Sequence, residues 1–234
     1  MIKLFRNIRQ KLITEGKMTS YLKYAIGEII LVVIGILIAL QINTWNEENK
    51  NAKKEIAFLI NLHEDLRADS IRLDNIKSIL KTAVDHKRVF ENYITGKPTD
   101  KDSLNEQFSK QYNILVDFIP NSTSIDELTN GNGLNLISNT VLRRKIVTLH
   151  NNYDDIILKL KIGQEKGQSV VNYVSQKVKN IGSLTDEEII NLLEDRFYIN
   201  QTRMNYLNTQ LEAVDKIFQQ CIETLEMTKK ELNQ

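Results

Sequence analysis

The stretch Tyr24-Ala25-Ile26-Gly27-Glu28-Ile29-Ile30-Leu31-Val32-Val33-Ile34-Gly35-Ile36-Leu37-Ile38-Ala39-Leu40-Gln41-Ile42-Asn43 decides how the rest of the chain is read. Within it, Ile29 to Leu40 is twelve residues without a polar side chain. As a helix, a segment of this length spans about 30 Å, the thickness of a bilayer's hydrocarbon core. Tyr21 and Tyr24 flank one end and Trp45 the other. Such side chains suit the two membrane interfaces, where an apolar ring and a polar tip are each solvated. The sharply polar flanks argue against the alternative, a core helix of a soluble protein. The segment is therefore expected to be a transmembrane helix.

Charge sets its direction. Residues 1–23 carry six basic side chains (Lys3, Arg6, Arg9, Lys11, Lys17, Lys23) against one acid, Glu15. From Asn46 onward there are 25 basic and 28 acidic residues, so the overall charge of +1 hides a basic tip and a mildly acidic remainder. The positive-inside rule predicts a cytoplasmic arm over residues 1–23, a span over 24–43 and an extracytoplasmic domain over 46–234. Ala39-Leu40-Gln41 offers no small-x-small cleavage site, which favours an uncleaved signal anchor. Two readings of the arm stand. Ile2, Phe5, Ile8 and Leu12 recur at helical spacing among the basic residues, as in an amphipathic helix on an anionic leaflet. A plain topogenic charge cluster is the other. The acidic remainder lacks the positive field that nucleic-acid binding needs.

Four residues of the span are candidate contact positions. Gly35 and Ala39 form a small-xxx-small pair, with Gly27 two turns earlier on the same stripe and Glu28 on approximately the same face. Small residues let two helices approach closely, and an intramembrane carboxylate is either a functional group or one that snorkels to the headgroups. The lipid bilayer, a second copy of the chain and other envelope proteins are the expected partners.

Beyond the span, Leu59, Leu62, Leu66, Leu73, Ile76, Leu80, Ala83, Phe90 and Ile94 follow alternating three- and four-residue steps, with Asp69 and Lys87 in the two skipped positions. This heptad seam predicts a helix running on from the span to Gly96-Lys97-Pro98. A less regular section follows, with a short helix near Asp102 to Tyr112, a break at Pro120, capping-box spacing at Ser124 and Glu127, and a turn at Asn130-Gly131-Asn132-Gly133. A second long helix starts near Asn139 or Thr140. Its seam is Leu142, Ile146, Leu149, Tyr153, Ile156, Leu160, Gly163, Gly167, Val170, Val174 and Ile181, ending at Gly182. The two seam glycines predict a close crossing or a kink. After a capping box at Thr185 and Glu188, the last helix carries Met204, Leu207, Leu211, Val214, Phe218, Cys221, Leu225, Thr228 and Leu232 on its seam. Only two prolines and nine glycines interrupt the chain. The predicted fold is all-α: a single transmembrane helix followed by an elongated antiparallel bundle of three long helices plus a short helical insertion.

The segment Tyr24 to Asn43 with Trp45 and Asn46, the opening Met1-Ile2-Lys3-Leu4-Phe5-Arg6, and Gly133-Leu134-Asn135-Leu136-Ile137 with Leu142-Arg143 together resemble an uncharacterised membrane family of Bacteroidota. That resemblance implies a bacterial inner-membrane protein of unknown function, whose extracytoplasmic domain, by the charge reading above, would lie in the periplasm. It carries no catalytic residues.

The search for chemistry leads the same way. His63-Glu64 is followed by Arg67 where a zincin has histidine. Gly16-Lys17 lacks the earlier glycine of a P-loop, and no Gly-x-Ser-x-Gly elbow occurs. His86 and His150 have no partner at metal-ligand spacing. Cys221, the single cysteine, occupies a seam position and reads as a small core residue. No enzyme activity, metal or cofactor is expected. Three function classes fit: a structural or interaction protein, a ligand-sensing bundle that signals through a partner, and a subunit coupling ions or protons through Glu28.

Overall fold

The computed structural model describes residues 18–97, 116–130, 133–203 and 206–233. The arm before Met18, the short helix expected near Asp102 to Tyr112, the Gly131-Asn132 turn and Met204 lie outside these residues. The described residues are helical or irregular, with no strand among them. The elements in order are α1 (Met18–Ile94), α2 (Thr123–Asn130), a 3-10 turn (Gly133–Leu136), α3 (Thr140–Ser175), α4 (Asp186–Glu194), α5 (Arg196–Arg203) and α6 (Tyr206–Leu232). The chain forms two compact units, Met1–Lys54 and Glu55–Gln234.

In the first unit, α1 is apolar and bare. An 18-residue window has mean hydropathy 2.6 and none of it is buried. Ile29 is 63% exposed and Leu31 66%. By length and composition this helix can cross a membrane. In the second unit the same helix is amphipathic. Its expected seam is buried from Leu59 to Phe90, including Asp69 and Lys87. A Schellman motif ends the helix. Gly96 adopts φ +72°, its N–H donates to Tyr93 O, and the Lys97 N–H donates to Asn92 O.

Helix α3 begins where expected. The Asn139 side chain accepts from the N–H groups of Val141 and Leu142. Every seam residue from Leu142 to Val174 is buried. The helix stops at Ser175, however, and Ile181 is exposed in the following turn, so the seam does not reach Gly182. The Thr185–Glu188 capping box is complete and opens α4. Backbone bonds from Lys179 and Thr185 hold the Glu188 carboxylate below its usual pKa. Asp195 interrupts what was read as one last helix. Its Oδ1 accepts from the Tyr198 N–H and so caps α5, while its Oδ2 accepts from the Tyr173 hydroxyl.

The buried face of α6 is rotated from the expected one. Leu207, Val214, Cys221 and Thr228 are buried as predicted, but the alternating positions are Gln210, Ile217 and Thr224. Leu211, Phe218 and Leu225 only flank the core. Thr224 and Thr228 tolerate burial because their hydroxyls donate to the carbonyls of Gln220 and Thr224.

Polar pairs give the helix directions. Between α3 and α6, Lys145 meets Glu223, Asn152 meets Gln220, and the Gln210 amide donates to the carbonyls of Lys159 and Leu160. Between α1 and α6, the Cys221 thiol donates to Leu66 O and Lys77 pairs with Asp215. In each series one residue number rises as the other falls, so α6 is antiparallel to both partners. Helices α1 and α3 therefore run parallel. The described residues between 116 and 138 return alongside α1: Ile119 and Asn121 sit at Arg72, Ser124 at Asp65 and Ser138 at Glu55.

Gly163 makes the close approach of α3 and α6. A Cβ there would overlap the Gln210 side-chain amide. Alanine at 163 gains about 1 kcal/mol of helix propensity, but it expels a buried amide worth about 1–3 kcal/mol in unmet hydrogen bonding. Gly163→Ala is expected to lower unfolding stability by roughly 1 kcal/mol in the native background. In a Gln210→Ala background the same change should be neutral or stabilising. A double-mutant cycle by denaturant unfolding measures this; equal effects in both backgrounds would refute it.

Candidate functional site

Gly27, Glu28, Gly35 and Ala39 all lie on α1 within the first unit. Among the described residues, nothing lies within 4 Å of a Cβ placed on Gly27 or Gly35. Ala39 is exposed, and Glu28 is half-buried and has an interaction partner.

The core of the second unit holds a group that sequence reading left unassigned. Asp69 occupies a seam position of α1 and is 1% exposed. Around it stand Tyr153 from α3, Cys221 from α6 and Asn121 from the returning segment. The Asn121 N–H donates to Asp69 Oδ1 at 3.0 Å, and Arg72 Nη1 lies 3.6 Å from the same oxygen. Arg72 also donates to Ile119 O at 2.7 Å, so one guanidinium serves both carboxylate and segment. The Tyr153 hydroxyl donates to Cys221 Sγ at 3.5 Å, and the thiol donates to Leu66 O at 3.4 Å. Phe118 closes the cluster with its ring edge-to-face on Tyr153, centroids 5.0 Å apart. One turn along α1, Asp65 accepts from the Ser124 hydroxyl. Ser124 thus binds α1 instead of capping α2, which starts two residues earlier than the capping-box spacing implied.

Burial dominates the electrostatics. Removing Asp69 from water raises its carboxyl from 3.8 to about 6; the Asn121 N–H, Arg72 and the Tyr153 hydroxyl oppose the rise, and Asp65 adds to it. Burial also pushes the Tyr153 hydroxyl far up and the Cys221 thiol to about 11. Tyr153 has one proton and two neighbours that would accept it. Its geometry satisfies the sulfur, which leaves Asp69 Oδ2 buried without a hydrogen-bond partner.

These groups cannot act as a nucleophilic site as they stand. A thiol at pKa about 11 is protonated at neutral pH, and Cys221 is 0% exposed. His63 and His150 each have a buried Nδ1 without a partner, and no group of three metal-ligating side chains occurs among the described residues. What the cluster can do is hold and exchange a proton. A carboxyl whose folded pKa is raised contributes stability present below its unfolded pKa and lost as pH rises through the folded value. Here that window runs from about 4 to about 6, and a shift of this size is worth on the order of 2–3 kcal/mol.

The histidines, the heptads and the span are legible along the chain. The Asp69 cluster is not, because its members lie 84 and 68 residues apart along the chain from Asp69 to Tyr153 to Cys221. The one local signal was an aspartate in a leucine-rich seam.

Compared with known proteins, residues 28–210 match the model of a family of unknown function, DUF6090. No curated protein and no solved structure matches the chain.

Cys221 is expected to resist a thiol-specific reagent in the folded chain and to react fully in denaturant. The ratio of the two rates, followed by absorbance, should exceed about a hundredfold. Rapid labelling of the native chain would show that α6 leaves the bundle readily.

Proposed function

We propose that this chain, which belongs to the DUF6090 family, is a membrane-anchored, non-enzymatic interaction protein of the bacterial envelope. One observation carries the reading: the helix before Lys54 leaves its apolar side chains uncovered, while the unit after it buries a complete core of its own. Soluble monomers rarely expose a contiguous apolar surface beyond a few hundred Å². Each Å² left in water costs about 25 cal/mol, so a run like Ile29 to Leu40 requires lipid or another helix around it.

The topology follows from the basic arm. Residues 1–23 lie in the cytoplasm, the span crosses the inner membrane, and the bundle projects into the periplasm, as in the Bacteroidota proteins that the N-terminal stretch resembles. Gly27, Glu28, Gly35 and Ala39 form the face that meets a second copy or another envelope protein's helix. The role is structural and not catalytic.

Fractionation tests the anchor and crosslinking tests the role. The chain should stay in the membrane pellet after alkaline carbonate, and protease added to spheroplasts should remove the bundle. Mild-detergent extracts should contain a crosslinked assembly that Gly35→Leu weakens several-fold. Recovery as a carbonate-soluble protein would sink the anchor. A strictly monomeric species with no co-purifying protein would sink the interaction role.

A further inference from the structure

A cavity of about 350 Å³ lies between α3 and α6, beside their close approach at Gly163. Its volume falls at the lower end of the range in which proteins hold small ligands. The lining combines apolar surface, positive charge and a buried amide, with no acidic side chain. Ile162 is 42% exposed and Tyr206 is half-buried, so an apolar body has a surface to cover. Lys159 and Lys166 supply the charge, and they are not equivalent. Asp155 answers Lys159 at 2.6 Å. Lys166 is half-buried and has no acidic partner among the described residues.

The amide is that of Gln210, which is 5% exposed. Both of its hydrogen bonds leave from Nε2, to Lys159 O and Leu160 O at 3.2 Å each. Two carbonyls can only accept, so the amide cannot be turned over. Oε1 therefore keeps its place, receives no hydrogen bond among the described residues, and yet is not sealed in the core as Asp69 Oδ2 is. The cavity that Gln210 lines is where this oxygen meets a donor.

We propose that the cavity binds a small amphipathic acid: a monocarboxylate with an apolar body and a neutral O–H or N–H donor. The carboxylate pairs with Lys166, the body covers Ile162 and Tyr206, and the donor bonds Gln210 Oε1. The donor is neutral because two ammonium groups line the same small space and repel a third. Hydroxy acids fit this description; zwitterionic amino acids do not. The site lies wholly within the second unit, so its occupancy is independent of what surrounds the apolar helix of the first.

Saturation-transfer NMR tests this with phenyllactate as the probe, on the full chain in lipid nanodiscs and with empty nanodiscs subtracted. Binding should be saturable, with a Kd in the millimolar range or tighter. Lys166→Gln should weaken it about tenfold, the loss expected for one charge-assisted hydrogen bond, while Lys166→Arg keeps it. Phenylpropanoate, which lacks the hydroxyl, and phenylalanine, which has an ammonium in its place, should each bind several-fold less tightly. Protection of Cys221 from a thiol reagent shows that a variant is folded. Should Lys166→Gln fail that check, Ile162→Glu, at an exposed position, takes its place with the same expected loss. Three results each overturn the proposal: no saturable signal in the native chain, equal affinity in the variant, or either analogue binding as tightly as phenyllactate.

Discussion

Two helices side by side and pointing the same way cannot be joined by a short turn. That constraint organises the second unit. Helices α1 and α3 are each antiparallel to α6, so the chain must travel back between them along the bundle before α3 begins. Among its described residues the returning segment has little periodic structure of its own: residues 116–122 are irregular, and α2 and a 3-10 turn follow before Asn139. It is held by what α1 presents to it. Hence the row of acids at Glu55, Asp65 and Asp69 on a helix whose other inward positions are mostly leucine, isoleucine and phenylalanine. Backbone N–H groups in an irregular stretch need acceptors once they are covered, and carboxylates spaced about one and three turns apart along the helix supply them.

Val116, Phe118, Ile125 and Ile137 fill the gap that a fourth helix would otherwise occupy. Phe118 does so against the ring of Tyr153, whose hydroxyl end enters the polar cluster. Apolar packing and polar ties alternate along the segment, so neither acts without the other. Farther along, a second core gathers Phe90, Val170, Val174, Leu184, Ile189, Leu192 and Tyr198. There Asp195 joins the pieces, capping α5 with one oxygen and binding Tyr173 with the other.

Most of the helical frame could be read along the chain because burial on a helix repeats every three or four residues. The α1 seam was legible even where Asp69 and Lys87 broke its apolarity. On α6 the same logic misplaced alternate positions. Leu211, Phe218 and Leu225 look like core but flank it, while Gln210 and Thr224 are buried because Gly163 makes room for one and a helix carbonyl satisfies the other. The end of α3 was overrun because Ile181 fits the periodicity although the helix has already ended at Ser175. The parallel course of α1 and α3 left no local trace, since heptads do not encode direction. The polar cluster was equally hidden, being assembled from three helices and a loop.

One arrangement has a practical corollary. The chain has a single tryptophan and a single cysteine. Trp45 is 65% exposed on the apolar helix of the first unit, and Cys221 is sealed in the second. Indole emission therefore reports on the medium around the N-terminal helix and is blind to the bundle core, whereas thiol accessibility reports on the core and is blind to the medium. Without any engineering, the molecule carries one optical probe and one chemical probe in its two separate units.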